Sequence, residues 1–257
     1  MPEIVRFARV VDEEGLRWAR VQDGRALFLD GAPWLGGRPS GQGVSLEELG
    51  LDCPVAPSKV FAVGKNYRAH AAEMGGPVPA EPLIFAKAIS SLLGPDKTVL
   101  LPRESTRIDY EGELGVVIGK RCRRVPPQRA MDHVFGLVPV CDVTARDLQA
   151  RDGQWTRAKS FDTFCPTGPF VVTGVEPADL ELSLRIGGKE RQRARTSEMV
   201  FDVAHVVAYV SSFATLEPGD LILTGTPEGV GPLTAGDRVE VAIENVGSLF
   251  FGVADEE

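Results

Sequence analysis

Asp109-Tyr110-Glu111-Gly112-Glu113-Leu114-Gly115-Val116-Val117-Ile118-Gly119 is the stretch on which the reading of the chain turns. Leu114, Val116, Val117 and Ile118 form a short apolar run bounded by glycines, the pattern of a buried strand. Residues two apart on a strand share a face, so Glu111 and Glu113 project the same way. Two carboxylates at that spacing repel each other unless a cation lies between them or one takes up a proton. Two solvated glutamates at the mouth of a strand fit the same pattern, since paired exposed glutamates are common. The rest of the chain decides between the two.

A third acid, Asp142, closes the apolar run Leu137-Val138-Pro139-Val140-Cys141. It is either a turn aspartate satisfied locally or an acid delivered to the rim of a core. If Glu111, Glu113 and Asp142 converge, three negative charges share one site, which is tolerable only with a cation. All-oxygen ligation points to a hard ion, Mg²⁺ or Mn²⁺, in preference to zinc. No histidine sits near these acids in sequence, which fits that choice.

His70 and Glu73 lie three apart on a helical pattern and so share a helix face. The carboxylate can orient the imidazole and raise its basicity, as a general base requires. The Gly75-Gly76-Pro77 loop that follows gives the pair the character of a mobile lid; an exposed His-Glu pair on a surface helix is the plainer alternative. Gly225-Thr226-Pro227-Glu228-Gly229-Val230-Gly231 lacks the Lys-Ser/Thr ending of a phosphate-binding loop. It reads as a tight turn, or as a cradle in which Thr226 and backbone N–H groups hold a carboxylate. Lys159, in Arg157-Ala158-Lys159-Ser160-Phe161-Asp162, reads by itself as a surface lysine. His133 and His205 fall in helical apolar patterns and are expected to be structural.

Composition narrows the partners. A chain of 257 residues with 43% hydrophobic and 25% charged content is an ordinary globular one with room for a large core. A net charge of −8 disfavours nucleic acid and anionic membrane, both of which need a positive surface. It does not disfavour a small anion, which responds to the local field. No apolar run is long enough to span a bilayer. Met1-Pro2-Glu3-Ile4-Val5-Arg6-Phe7 lacks the basic and apolar regions of a signal peptide, so a cytoplasmic location is expected. The four cysteines, Cys53, Cys122, Cys141 and Cys165, have no CxxC spacing and are expected as buried thiols. Of only seven lysines, three (Lys65, Lys87 and Lys159) fall in motif segments, where a compact point charge in place of a planar fork has a use.

Along the chain, residues 4–11, 16–22 and 26–29 read as strands, 31–46 as loop, and 45–49 as a short helix with Ser45 as N-cap. Residues 1–55 thus form a small β-rich N-terminal domain, too small for a large core and expected to pack on residues 56–257. There, 59–64 is a strand, 65–74 a helix, 83–85 a strand and 126–135 a helix. Residues 144–165 are polar and irregular. A hairpin about Gly187-Gly188 (180–186 and 189–193), an amphipathic helix over 198–213 and three strands near 221–224, 238–243 and 248–253 complete the chain. Many short strands with few helices argue for a mostly β, α+β barrel or roll.

Taken together, six segments resemble the fumarylacetoacetate hydrolase family. They are Gly64-Lys65-Asn66-Tyr67 with His70 and Glu73; Phe85-Ala86-Lys87 with Ser90 to Pro95; Asp109 to Leu114; Asp142-Val143-Thr144-Ala145-Arg146-Asp147; Lys159-Ser160-Phe161-Asp162; and Pro218-Gly219-Asp220 running into Thr224 to Gly231. Their order and spacing cover most of the chain from Pro57 onward. The resemblance implies a mixed β-roll catalytic domain and a divalent metal, usually Mg²⁺, held at Glu111, Glu113 and Asp142. It implies a lid carrying His70 and Glu73, a lysine at Lys159 beside the bound substrate, and homodimers. Lys65 and Ala88 depart from it: many members have arginine and proline at those positions.

The chemistry fits. A 2-oxo acid can chelate one such ion through its carboxylate and keto oxygen, and the ion stabilises the enolate formed when a C–C bond breaks or a proton leaves. Lys159 would stabilise the oxyanion, and His70, oriented by Glu73, would move the proton. Lys65, Tyr67, Lys87 and Thr226 are candidate substrate-binding residues. The expected substrate is a small anionic 2-oxo or 2-hydroxy-enoic acid. The reaction is of the 2-hydroxyhepta-2,4-diene-1,7-dioate isomerase/decarboxylase type of aromatic-acid breakdown; acylpyruvate-type hydrolysis, oxaloacetate decarboxylation and a non-catalytic metabolite-binding role are the alternatives.

Overall fold

The computed structural model describes residues 3–41 and 43–256. Met1 and Pro2, on which part of the leader reading rests, and Gln42 of the expected 31–46 loop lie outside the described residues. The Gly112–Ile118 strand is buried along its whole length and lies near the middle of the largest sheet. It pairs antiparallel with Val134–Cys141 on one side and with Leu221–Leu223 on the other. Leu221–Leu223 pairs in parallel with Val60–Gly64, which pairs antiparallel with Leu83–Lys87. Burial on both faces is why these strands read as continuous apolar runs and not as alternating ones. Gly115 is required at the centre: a Cβ there would lie 2.8 Å from Val138 Cγ1 and 3.0 Å from Val138 O.

The N-terminal strands extend this same sheet. Val5–Asp12 pairs with Val171–Thr173, which pairs with Val134–Cys141 at Leu137. Gly15–Gln22, Arg25–Phe28 and Val44–Ser45 then continue it as a meander, while Gly50–Asp52 also pairs with Val5–Asp12. Ala8, Val10, Ala19, Ala26 and Phe28 give this segment a small core of its own. A second sheet runs in the order Lys189–Arg195, Glu181–Ile186, Arg238–Ile243, Gly247–Asp255, Thr98–Leu101. The helix Val203–Phe213 buries Val203, Val206, Val207 and Val210 against the main core. Asp202 caps it by accepting the His205 N–H at 2.8 Å.

The architecture is the mostly β, α+β one expected, and among the described residues no helix is long and apolar enough to cross a membrane. Four local expectations fail. Residues 46–48 make a single 3₁₀ turn with no side-chain cap from Ser45. The helix expected over 126–135 is only Pro127–Ala130 with a 3₁₀ turn, after which Val134 already enters a strand. Its apolar residues serve sheet pairing, which overrides helical spacing. Residues 144–165 are not irregular: they hold the helices Arg146–Asp152 and Thr156–Lys159. His205 is exposed and paired with Asp202, not part of the apolar face. The four cysteines are buried and unpaired, and burial pushes the Cys141 thiol up, away from reactivity.

Candidate metal centre and active site

The glutamate stretch is two strands, not one. Ile108–Tyr110 pairs with Thr144–Ala145 and with Gly231–Pro232, and the Gly112–Ile118 ladder begins after a break at Glu111. Gly112 faces Cys141, so Asp142 falls beside Glu111, and the Asp142 N–H donates to Glu111 O at 2.8 Å. On the other side Gly115 faces Leu223, and Leu223 faces Ala62. Two residues further along, Glu113, Gly225 and Gly64 therefore lie level across three strands. The Gly225 N–H donates to Glu113 Oε2 at 2.6 Å. Gly225 has φ +100°, and a Cβ there would meet Asn66 Cβ at 2.7 Å, so only glycine fits this crossing. This registry brings one oxygen each from Glu111, Glu113 and Asp142 within 4.8 Å of one another, all three side chains buried.

Three cations surround the acids. Lys159 Nζ donates to Glu111 Oε2 at 2.8 Å and to Asp142 Oδ2 at 2.6 Å. Lys87 Nζ donates to Asp142 Oδ1 at 2.6 Å and to the Lys159 carbonyl. Arg146 spans Glu111 Oε1 (2.5 Å) and the buried Asp109 (2.9 Å), which Arg107 also holds. Burial opposes ionisation of Glu111, but Lys159 and Arg146 outweigh it and hold its carboxyl well below the usual range. Burial also opposes the charge on Lys159, yet Asp142 and Glu111 keep its ammonium above its ordinary value. Glu113 is the exception. Burial, then Asp142 and Glu111, push it well above 4.5, with Lys159 only partly compensating. A buried all-oxygen set of three carboxylates, one of them unable to ionise cheaply, fits a hard divalent cation.

His70 is buried, with Nδ1 3.2 Å from Glu73 Oε2; Glu73 Oε1 in turn accepts the Gly229 N–H at 3.1 Å. The helix Arg68–Glu73 is thus latched to the 225–231 loop, and His70 is a buried cavity residue, not a surface one. His70, Lys65, Trp155 and Thr226 line one cavity of about 50 Å³ with the acids, Arg146 and Lys159. Thr226 is there for a different reason than expected: its hydroxyl donates to Gly112 O and accepts from Gln192 Nε2, both at 2.9 Å. Tyr67 does not line this cavity. Its ring is buried, its hydroxyl has no partner among the described residues, and it lines a neighbouring cleft with Glu198 and Glu228.

Sequence reasoning missed Arg146, Gln192 and Trp155. Arg146 stands in the Asp142–Asp147 segment, and its place as the nearest cation in sequence to Asp142 is the signal that marks it. Gln192 gave no local signal: it is one buried residue in a polar strand, and it accepts the Gly112 N–H at 2.9 Å from 80 residues away. Trp155 packs against Phe85 and accepts the Lys159 N–H on its carbonyl at 3.0 Å, seating that lysine.

With this geometry, comparison with known proteins is unambiguous about the family. Residues 59–254 match the model of the fumarylacetoacetate (FAA) hydrolase C-terminal domain, and residues 5–54 match that of an Rv2993c-like N-terminal domain. The chain belongs to the fumarylacetoacetate hydrolase family of enzymes. A 2,4-didehydro-3-deoxy-L-rhamnonate hydrolase of Sphingomonas sp. (strain SKA58) is 47% identical over 202 residues, which is 74% of this chain and 71% of that protein. Oxaloacetate tautomerase FAHD2A, mitochondrial, of Bos taurus is 46% identical over 205 residues, 75% of this chain and 65% of that protein. The crystal structure of 2-hydroxyhepta-2,4-diene-1,7-dioate isomerase from Mycobacterium marinum superposes with a TM-score of 0.92 at 41% identity, covering 98% of this chain and 100% of that one.

Proposed function

We propose that this protein is a Mg²⁺- or Mn²⁺-dependent enzyme that moves a proton on a 2-oxo or 2-hydroxy-enoic acid, of the 2-hydroxyhepta-2,4-diene-1,7-dioate isomerase/decarboxylase type. The observation that carries the reading is one cavity that joins the three convergent carboxylates to His70–Glu73 and Lys159. Glu111, Glu113 and Asp142 would hold the cation, which when bound supplies Lewis-acid polarisation of the substrate's 2-oxo group. Glu73 accepts from His70 Nδ1, which leaves Nε2 as the nitrogen that takes and returns the proton. Lys159 is seated to donate to an oxyanion beside the acids, and Lys87 fixes both Asp142 and the Lys159 carbonyl. A cavity of about 50 Å³ has room for an ion and about a water molecule, not for a seven-carbon acid. Substrate entry therefore requires the Arg68–Glu73 helix to release its latch on Gly229.

Hydrolysis of a C–C bond in an acylpyruvate is the second reading, favoured by the identity to the Sphingomonas hydrolase. It needs a water placed on a second carbonyl beside His70. Ultraviolet-monitored turnover of an acylpyruvate, oxaloacetate and a 2-hydroxy-dienedioate, each with Mg²⁺ and with chelator, tests the proposal. Chelator-sensitive turnover with preference for the dienedioate or for decarboxylation supports it. Preference for the acylpyruvate selects the hydrolase, and chelator-insensitive turnover removes the metal reading.

A further inference from the structure

Among the described residues, Lys65 is the one cation lining the cavity that is not already committed. Lys159 and Arg146 line it too, and each is bonded to a carboxylate of the triad, as is the adjoining Lys87. Asp109 is balanced by Arg107. Lys65 has no carboxylate within ion-pair distance among the described residues, and its backbone adopts φ +55°, a conformation lysine seldom takes. The structure makes room for its head: a Cβ on Gly76 would lie 2.6 Å from Lys65 Nζ, so the ammonium rests against a glycine in the loop that follows the His70 helix. One residue earlier, a Cβ on Gly64 would lie 2.7 Å from the Trp155 ring, so that ring closes the same side of the cavity.

We propose that Lys65 recognises a second carboxylate, at the far end of the substrate from the one held beside the triad, so that the enzyme selects dicarboxylic over monocarboxylic 2-oxo acids. The inference rests on the metal-dependent reading above and decides, within it, between dioates and simple acylpyruvates. Two arguments carry it. The first is charge. Three carboxylates face four cations here, and a divalent cation raises the positive surplus to three; a dianion neutralises more of it than a monoanion does. The second is reach. Glu113 and Gly64 lie level on strands separated by one other, a spacing of roughly 10 Å between backbones. Lys65 Nζ rests against Gly76 and, among the described residues, lies beyond ion-pair distance of every triad carboxylate, so a carboxylate it holds is a different group from the one held at the triad.

The test is calorimetric binding, in saturating Mg²⁺, of three acids: 2-oxoglutarate, 2-oxopentanoate (the same length without the distal carboxylate) and oxalate (a dianion too short to span). The wild type should bind 2-oxoglutarate at least about tenfold tighter than 2-oxopentanoate, an ion-paired carboxylate being worth that much or more. Lys65→Met should abolish that preference and leave 2-oxopentanoate and oxalate unchanged; Lys65→Arg should restore it. Equal wild-type affinity for the two oxo acids, or a Lys65→Met variant that weakens oxalate as much as 2-oxoglutarate, overturns the role of Lys65. Failure of oxalate itself to bind in Mg²⁺ overturns the metal reading beneath it.

Discussion

The wild type and Glu113→Gln should exchange their order of stability between metal-free and metal-loaded conditions. The substitution keeps the shape and removes the charge. Two carboxylates within 4.8 Å of each other repel by about 3.5 kcal/mol or more at an effective dielectric of 20, and Glu113 faces two of them. Without metal the group escapes by keeping its proton: burial first, and then this repulsion, hold its pKa well above 4.5. The folded protein then binds a proton that the unfolded chain has lost, across the window from pH 4.5 up to the raised value. The associated stability is fully present below that window and is lost as pH rises through it, at about 1.4 kcal/mol per pH unit. Glutamine has no such proton. In chelator, the stability of the wild type relative to Glu113→Gln should therefore fall with pH, by about 3–6 °C in Tm per unit for a chain of this size. Millimolar Mg²⁺ should reverse the order, since the cation displaces the proton and stabilises only the protein that binds it. Scanning calorimetry of both proteins from about pH 5 to 8, in chelator and in Mg²⁺, reads all of this. Parallel Tm–pH curves for the two proteins in chelator would refute the placement of Glu113 beside acids that the neighbouring cations only partly offset.

His70→Ala should lower kcat by about 10²-fold or more with metal affinity unchanged, as loss of a general base does; a loss under threefold in steady-state assay would reject the proton-transfer role. Lys159→Met leaves Glu111 and Asp142 short of a buried partner, and urea unfolding in chelator should show a loss of about 3–5 kcal/mol, with Mg²⁺ recovering part of it. No loss would mean that the ion pairs are not made in solution. Gln192→Leu removes the acceptor of the Gly112 N–H and the donor to Thr226. It should cost about 1–3 kcal/mol and weaken Mg²⁺ binding measured by calorimetry; wild-type affinity would show that Glu113 is positioned without it. Light scattering after gel filtration should give a dimer, and a monomer at micromolar concentration would reject that proposal.

Elements that the sequence determines locally are legible in it. Leu114 to Ile118 and Leu221 to Leu223 are apolar on both faces because both faces are covered, and no helix of useful length fits between their glycines. Residues 126–135 misled because apolar spacing in a short window suits either period, and pairing of Val134–Cys141 with Gly112–Ile118 decided it. The three acids were legible from spacing and motif together. What charge surrounds them was not: Lys87 and Lys159 reach Asp142 from 55 and 17 residues away, and Gln192 reaches Gly112 across 80. Such contacts are made by sheet topology, which no short stretch encodes. Thr226 shows the converse limit. A hydroxyl in a glycine-rich loop looks available until Gly112 O and Gln192 are seen to occupy it.

Where a metal ion sits decides whether Glu111, Glu113 and Asp142 form the centre of the site. A crystal grown with Mn²⁺ and oxalate, with anomalous diffraction recorded at the manganese edge, locates it without reference to turnover. The prediction is one anomalous peak per chain, with an oxygen each of Glu111, Glu113 and Asp142 at about 2.0–2.3 Å, oxalate on its open side and Lys159 within hydrogen-bond reach of the oxalate. No peak at the three carboxylates, or a peak elsewhere with Lys159 still bridging Glu111 and Asp142, would contradict it.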